Sequence, residues 1–426
     1  MKMWSLGRAL AAAVCLAVTA GCGSVSAPAT PGTGSGSGSG ASSAAHHRGG
    51  TIKVGVLQSL SGTMAISEVP LERAELLAID QINAKGGVLG KKIRPIVMDG
   101  ASNPATFATK ARQLIQQDHV VAVFGGWTSA SRKAMLPVFQ QYKNDLWYPV
   151  QWEGLEDSPN IVYTGAVPNQ QIIPAVKYLA KTKGYKRFFL VGSNYVFPRT
   201  ANEIIQAELK HYGATVSGVE YVPLGGTDFT SVIAKIQQSK PQAILNTLNG
   251  DSNVAFFKQL KDAGLGPKQL PVMSFSIAEQ EIKGIGPSLV AGDYVAWNYY
   301  QSMNNALNHA FVHAYQAKYG KNQVTDDPME HGYIDVQLWA KAVQKAGSTN
   351  PAKVLTAVKG LSMNTPQGPV TIDPATHMLS QVARIGVIRS SGQIRQVWNS
   401  GSTLLKPDPC MKTYAWFQLP KGSGGC

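Results

Sequence analysis

Apolar runs alternate with amphipathic stretches from Thr51 onwards. "TIKVGVL", "IRPIVMD" and "VVAVFG" have the pattern of strands, and each is followed by a helical pattern. The first of these helices, "EVPLERAELLAIDQINAKGG", carries its apolar residues on one face and is closed by glycine. Strands that are apolar throughout, alternating with helices, predict an α/β fold in which a parallel sheet is covered on both faces.

The alternation repeats in the second half of the chain. "RFFLVGS", "ATVSGVEYVPL", "QAILNTL" and "LPVMSFS" predict strands, and the helix after "ATVSGVEYVPL" is expected to start at an N-cap, Asp228. Two long helical patterns follow at 305–319 and 328–346, and "ARIGVIRSSGQIRQVW" predicts a hairpin through Ser391-Gly392. A chain that builds one lobe, then a second, and still has helices and strands left is expected to cross back between them.

The N-terminus has the pattern of an export signal. Lys2 and Arg8 precede the short apolar run "ALAAAVCLAVTAGC", which resembles a bacterial lipoprotein signal cleaved before Cys22. Residues 1–22 are therefore predicted to be the signal and Cys22 the lipidated residue. An ordinary secretory signal cut nearby is the alternative, because Thr19 stands where such signals prefer Leu or Val. The protein is expected on the outer face of the cytoplasmic membrane, in the cell envelope or periplasm.

Residues 23–50 are rich in Gly, Ser, Ala and Pro and predict a flexible linker. The chain has 39 Lys+Arg against 25 Asp+Glu, a formal charge of +14. These cations are scattered along the sequence, which argues against a nucleic-acid partner.

Two of the four cysteines remain in the mature domain. Cys15 leaves with the predicted signal, so Cys410 and Cys426 are the pair expected to form a disulfide in an oxidising compartment. We expect this bridge to pin the C-terminal tail, 406–426, and to leave the ligand site untouched.

Ligands of open parallel sheets bind beyond the carboxyl ends of the strands. At these ends the sequence places aromatic and neutral hydrogen-bonding residues, with Arg132 and Arg199 a little further along. No G-x-G-x-x-G or P-loop pattern is present, so a small uncharged ligand is favoured over an anionic one.

Eight motifs carry a resemblance over 51–398: "SGTMAISE", "FGGWTSASRK", "YPVQWEG", "YTGAVPNQQ", "NYVFPRT", "NGDSN", "FSIAEQE" and "DDPMEHGYI". They resemble the urea-binding proteins of bacterial ABC urea transporters. The larger family also includes branched-chain amino-acid binders and an amide sensor. The resemblance implies two Rossmann-like lobes joined by three crossovers, a ligand in the cleft and an ABC permease as partner. The expected ranges are 51–167 with 298–365 for lobe 1 and 168–297 with 366–405 for lobe 2.

The resemblance also implies which of the residues at the strand ends contact the ligand, and their roles. They are Trp127, Thr128, Ser129, Tyr148, Gln151, Glu153, Tyr195, Asn249, Asp251, Ser276 and Glu279. Backbone N–H groups and the Thr128 and Ser129 hydroxyls suit the carbonyl of urea or a short-chain amide. Side-chain oxygens suit its N–H groups; the candidates are Gln151, Glu153, Asp251 and Glu279. Trp127 and Tyr148 are expected to wall the ligand, and the glycines before Trp127 to let the backbone approach it.

Plainer interpretations stay open beside these roles. Trp127 would also serve as core, Glu153 and Glu279 as solvated acids at helix starts, and Asp251 as an N-cap. His309 and His313 have metal spacing but no third ligand, so neither a metal nor a cofactor is expected. An amide hydrolase is the rival class, but no nucleophile motif supports it, and a sensor on the same fold is the other alternative.

Overall fold

The computed structural model describes residues 50–418 and Cys426, and the statements about structure below refer to these residues. The predicted signal, Cys22 and all of the predicted linker except Gly50 lie outside the described residues.

Strands and helices alternate along most of the chain. The strands are β1 (Thr51–Gln58), β2 (Lys92–Asp99), β3 (Val123–Gly125), β4 (Leu146–Tyr148), β5 (Ile161–Tyr163), β6 (Arg187–Ser193), β7 (Thr215–Val222), β8 (Ala243–Thr247), β9 (Val272–Ser274), β10 (Tyr294–Trp297), β11 (Ser362–Thr365), β12 (Gly368–Ile372), β13 (Leu379–Ser380), β14 (Arg384–Ile388) and β15 (Ile394–Asn399). The helices are α1 (Ala65–Ala84), α2 (Pro104–Gln116), α3 (Ser129–Tyr142), α4 (Ile172–Lys177), α5 (Val196–His211), α6 (Thr230–Ser239), α7 (Ser252–Asp262), α8 (Glu279–Ile285), α9 (Pro287–Val290), α10 (Ala306–Tyr319), α11 (Asp327–Ala346) and α12 (Pro351–Val358).

The first sheet has five parallel strands in the order β2-β1-β3-β4-β5. Strand β1 is buried on both faces: Val56 packs into one apolar core with α1 and α11, and Leu57 into another with α2 and α3. Burial on both faces explains why the sequence of this strand is apolar almost throughout. We call this sheet and the helices packed on it lobe 1.

The second sheet has seven strands in the order β15-β14-β10-β9-β8-β6-β7. Its strands from β6 to β10 pair in parallel, and β14 and β15 add the predicted antiparallel hairpin at one edge. Consecutive residues of β6 again enter separate cores, Phe189 with α6 and α7 and Leu190 with α4 and α5. This sheet and its helices form lobe 2, and the predicted α/β class with parallel sheets is confirmed.

The chain passes between the two lobes three times, after β5, after β10 and after β13, and β11, β12 and β13 form a separate three-stranded sheet. The last crossover was expected at residue 366, but it lies later in the chain. β12 pairs with β11, and Val370 and Ile372 are buried in the core of lobe 1, so the return to lobe 2 comes at 381–383. The short strands of this segment have too little apolar pattern to indicate which lobe they cover.

The start of α6 differs in detail from the expectation, whereas the second long helical pattern starts close to where it was predicted. Phe229, not Asp228, holds the N-cap position of α6, and Asp228 accepts the Thr230 N–H at 3.0 Å from one residue further out. Asp326 caps α11 by accepting the Met329 N–H at 3.1 Å.

Candidate functional site

The carboxyl ends of the strands of both lobes meet, and four side-chain pairs connect the lobes there. Trp127 Nε1 donates to Asn249 Oδ1 at 3.3 Å, and Gln151 Nε2 donates to Ser276 Oγ at 2.8 Å. The Thr63 hydroxyl donates to Asp251, and Ser67 Oγ donates to Glu281 Oε1 at 2.5 Å. The structure therefore brings five of the predicted residues together at this interlobe contact. They are Trp127, Gln151, Asn249, Asp251 and Ser276.

Trp127 follows β3 through a turn that only glycine fits. Gly125 and Gly126 have φ angles of 134° and 81°. A Cβ at Gly125 would lie 2.1 Å from the carbonyl oxygen of Leu57 in the neighbouring strand. Gly125 is thus required by the packing of the turn against β1, whereas a Cβ at Gly126 would meet Met135 at 2.9 Å. That the two glycines let the backbone approach a ligand stays a prediction.

The indole of Trp127 has two roles in this geometry. Its ring is 2% exposed and packs in the apolar core of lobe 1 with Leu57 and Tyr148. Its N–H reaches across to lobe 2, and its backbone carbonyl accepts a hydrogen bond from the Tyr148 hydroxyl. The residue is core on one side and interlobe contact on the other.

Thr128 and Ser129 form the start of α3. Thr128 is the N-cap, and its hydroxyl oxygen accepts the Ser131 N–H at 3.1 Å. Ser129 donates its hydroxyl to Glu153 and accepts from Arg132 Nη1 at 3.0 Å. Both hydroxyls are therefore engaged within lobe 1, where they hold the helix start in place.

Arg132 organises the lobe 1 side, a role that the sequence did not reveal. Its fully buried guanidinium donates to Glu153 Oε1 at 3.1 Å and to Glu156 Oε1 at 3.0 Å, between the rings of Tyr148 and Trp152. Burial alone would raise the pKa of Glu156, but the charges of Arg132 and Lys133 lower it to about 2. Glu153 accepts from Arg132 through Oε1 and from Ser129 through Oε2. Both of its oxygens and the buried guanidinium therefore already have partners.

Glu68 is a second residue missed by the sequence reasoning. It lies on α1, is 1% exposed and accepts the Ser59 N–H through Oε2 at 2.5 Å, while its Oε1 has no hydrogen-bond partner. Burial raises its pKa to about 8 against the hydrogen bond from Ser59. A carboxylate among the apolar residues of the predicted helix, at the end of "SGTMAISE", was the available signal.

Tyr195 contributes from lobe 2 at the start of α5. Burial raises the pKa of its hydroxyl, and Tyr148, Glu153 and Glu68 of lobe 1 raise it further. Its ring packs beside Phe197 of lobe 2, with centroids 6.4 Å apart, and its contact with a ligand stays a prediction.

Two lobe 2 acids differ from the expectation. Asp251 occupies the N-cap position of α7, but its exposed side chain makes no capping bond and accepts from Thr63 instead. Glu279 is 1% exposed and accepts the Gln301 N–H at 2.8 Å, so it faces the crossover after β10. Burial raises the pKa of Glu279 to about 8.

We predict that burial of Glu68 makes the free energy of unfolding fall as the pH rises from about 4.5 to about 8. The folded protein holds the Glu68 proton up to about pH 8, whereas the ordinary value is 4.5, so the folded state binds more protons in between. Stability is therefore highest near the lower limit of this range and is lost towards the upper one. Glu68→Gln should remove part of this slope and raise the free energy of unfolding at pH 8.5 by about 1–3 kcal/mol.

Thermal unfolding between pH 5.5 and 8.5 measures this effect. Asp80→Asn, at an exposed position of the same helix, is the matched control and should keep the parent slope. A Glu68→Gln protein with the parent slope would contradict the assignment.

In the part of the chain that the structure describes, no three His, Cys, Asp or Glu side chains are grouped to hold a metal ion. Among the same residues, no helix is both long enough and apolar enough to cross a membrane.

The comparisons with known proteins agree with this two-lobed arrangement. The sequence profile described as "Periplasmic binding protein domain" matches residues 52–415. The chain belongs to this periplasmic binding protein family. Similar curated members include Leu/Ile/Val-binding protein homolog 6 of Brucella melitensis biotype 1, 25% identical over 339 residues that cover 78% of this chain and 85% of the relative.

Solved structures of similar proteins share the fold. A solute binding protein of an ABC transporter from R. palustris, in complex with 4-hydroxybenzoate, has a TM-score of 0.73 and 26% identity, covering 82% of this chain and 96% of that chain. A branched-chain amino acid transporter substrate binding protein from Streptococcus pneumoniae, in complex with isoleucine, has a TM-score of 0.72 and 22% identity, covering 84% and 100%. The second likeness concerns the fold alone.

Proposed function

We propose that this family member is an exported solute-binding protein that captures urea or a short-chain amide between its lobes and delivers it to an ABC permease. The transport role is supported by the family and by the ABC-transporter proteins among its structural relatives. The choice of ligand rests on the chemistry of the interlobe residues.

The observation that carries the choice is the side chain of Gln151. Its amide nitrogen donates to Ser276 Oγ at 2.8 Å and to the Phe275 carbonyl at 3.0 Å, so it is fixed between the lobes. Its carbonyl oxygen is buried and has no hydrogen-bond partner. Leaving such an acceptor unpaired costs about 1–3 kcal/mol. A ligand N–H placed at Gln151 Oε1 would remove this cost on binding.

The charge balance favours a neutral ligand. Relatives are named for Leu, Ile and Val or were solved with 4-hydroxybenzoate, ligands that carry a carboxyl group. A carboxylate needs a free cation or several free donors, whereas the guanidinium of Arg132 is already paired with Glu153 and Glu156. Glu68 Oε1, also buried and without a partner, carries the proton below about pH 8 because Oε2 accepts from Ser59, so it offers a neutral O–H donor to a ligand carbonyl. Urea and short amides offer N–H groups without a negative charge.

Branched-chain amino acids are the second candidate ligands, because the curated relatives are named for them. Their α-ammonium group would require Glu68 to give up its proton, and their α-carboxylate would have to displace Glu153 or Glu156 from Arg132. Lipid attachment at Cys22 and linkage through residues 23–50 remain proposals that rest on the sequence, and mass spectrometry of the mature N-terminus tests them.

Calorimetric titration of the purified protein with urea, acetamide, leucine and 4-hydroxybenzoate tests the proposed ligand. The proposal expects saturable binding of urea or acetamide, and recovery of the bound ligand unchanged. Binding of leucine or 4-hydroxybenzoate alone would reject the amide assignment, and release of ammonia from urea would favour the rival enzyme class.

A further inference from the structure

The C-terminal tail touches the loop that carries the lobe 1 side of the candidate site. Pro409 accepts the Leu155 N–H through its carbonyl oxygen at 2.8 Å. The same oxygen would lie 2.5 Å from a Cβ at Gly154. Gly154 and Leu155 lie between the two glutamates that hold Arg132, Glu153 and Glu156, in the loop between β4 and β5.

The loop has a backbone conformation that needs support from outside. Gly154 has a φ angle of 73°, and Leu155, a residue with a bulky side chain, has 61°. The left-handed conformation costs a non-glycine residue roughly 1–2 kcal/mol. The hydrogen bond to Pro409 and the close packing of Gly154 against it are the contacts that offset this cost.

The tail is itself fixed to the crossover between the lobes. Asn169, just after β5, donates to the Lys406 carbonyl at 2.8 Å and accepts the Asp408 N–H at 3.0 Å. Gln170 donates to the Leu405 carbonyl at 2.9 Å. The segment that holds the loop is therefore fastened where the two lobes join.

Further along, the tail is anchored to lobe 2. Met411 is 2% exposed and lies in the core under α4 and α5. The Trp416 indole stacks on His211 with ring centroids 3.8 Å apart and donates to Glu208 at 2.7 Å. A disulfide joins Cys410, the residue after Pro409, to Cys426.

We propose that the segment from Leu405 to Met411, closed by the Cys410–Cys426 disulfide, is a positioning element for the ligand-binding loop. It holds Gly154 and Leu155 in the conformation that keeps Glu153 and Glu156 on Arg132 and Gln151 between the lobes. Ligand affinity therefore depends on the tail through its hold on this loop. This reverses the expectation that the bridge leaves the site untouched, and it rests on the proposed function for the identity of the ligand.

Two readouts and a double-mutant cycle test the proposal. Cys410→Ser/Cys426→Ser loosens the tail, and Gly154→Ala pushes the loop away from Pro409. Gly184→Ala is the matched control, because Gly184 has a φ angle of 74° and no atom within 4 Å of an added Cβ. Titration measures the Kd for urea, hydrogen exchange of the Leu155 amide measures the loop without ligand, and circular dichroism monitors the fold.

We expect the Cys pair and Gly154→Ala each to raise the Kd for urea about tenfold, roughly 1.4 kcal/mol. Leu155 exchange should accelerate in both variants and stay at the parent rate in Gly184→Ala. The two changes combined should raise the Kd by much less than the product of their separate effects, because they break the same contact.

Additive effects, or a parent Kd in the Cys variant whatever the exchange rate, would overturn the positioning role. If the parent protein binds no urea, the proposed function fails instead, and the Kd arm is repeated with whichever of acetamide, leucine or 4-hydroxybenzoate the parent binds. Parent-like Leu155 exchange in the Cys variant overturns the positioning role in either case.

Discussion

Replacing Arg132 with methionine is expected to destabilise the fold by about 3–5 kcal/mol, the usual cost of removing one partner from a buried ion pair. The guanidinium is 0% exposed and is the common partner of Glu153 and Glu156. Methionine fills similar space between Tyr148 and Trp152 but leaves both carboxylates without their buried cation. Urea denaturation would confound the ligand, so guanidinium chloride unfolding is the appropriate measurement.

Lys133→Met is the matched control for this prediction. Lys133 also contacts both carboxylates, at 3.9 Å for Glu153 and 3.0 Å for Glu156, but its side chain is 39% exposed. Its loss should cost less than about 1 kcal/mol because water screens exposed pairs. Adding Glu153→Gln and Glu156→Gln to Arg132→Met should recover most of the lost stability. Equal costs for Arg132→Met and Lys133→Met would contradict the assignment of the buried cluster.

Trp127→Ala is expected to weaken urea binding by about 1–3 kcal/mol, a five- to 150-fold rise in Kd. The indole closes the turn after β3 and donates to Asn249 across the interlobe contact, so its loss opens the lobe 1 wall and removes one link to lobe 2. Because the ring is also 2% exposed in the core of lobe 1, some loss of stability should accompany the loss of affinity. The titration is therefore made at a temperature well below the midpoint of thermal unfolding of the variant.

Trp127→Phe and Asn249→Ala separate the two roles of the indole. Phenylalanine keeps an apolar ring but lacks the N–H, and Asn249→Ala removes the acceptor while keeping the indole. If the ring of residue 127 matters more for binding than its hydrogen bond to Asn249, both variants should bind urea more tightly than Trp127→Ala does. Urea affinity at the parent level in Trp127→Ala would leave the residue with a core role only.

The fold was predictable because burial on both faces of a parallel sheet leaves a continuous apolar pattern in strands such as β1. The place of the candidate site was predictable for a related reason, since strands that run in parallel bring their carboxyl ends to one edge. Gln151 and Ser276 lie 125 positions apart in sequence, yet both follow such ends and meet across the lobes.

The partners of charged residues were not predictable in the same way. Arg132 reads as a solvated residue on α3 until the fold brings the loop with Glu153 and Glu156 over it. Glu68 has no charged neighbour in sequence that indicates its burial. The contact of Pro409 with Leu155 joins backbone groups that are distant in sequence, and a backbone hydrogen bond leaves no side-chain signature.

A crystal structure of the protein, from crystals grown in the presence of urea, tests the central claim most directly. We predict urea between the lobes, with an N–H within about 3.2 Å of Gln151 Oε1 and with contacts to residues of both lobes. Arg132 should keep its bonds to Glu153 and Glu156 in that complex. A carboxylate ligand bound there to Arg132 in place of Glu153, or urea bound only at the outer surface, would contradict the account.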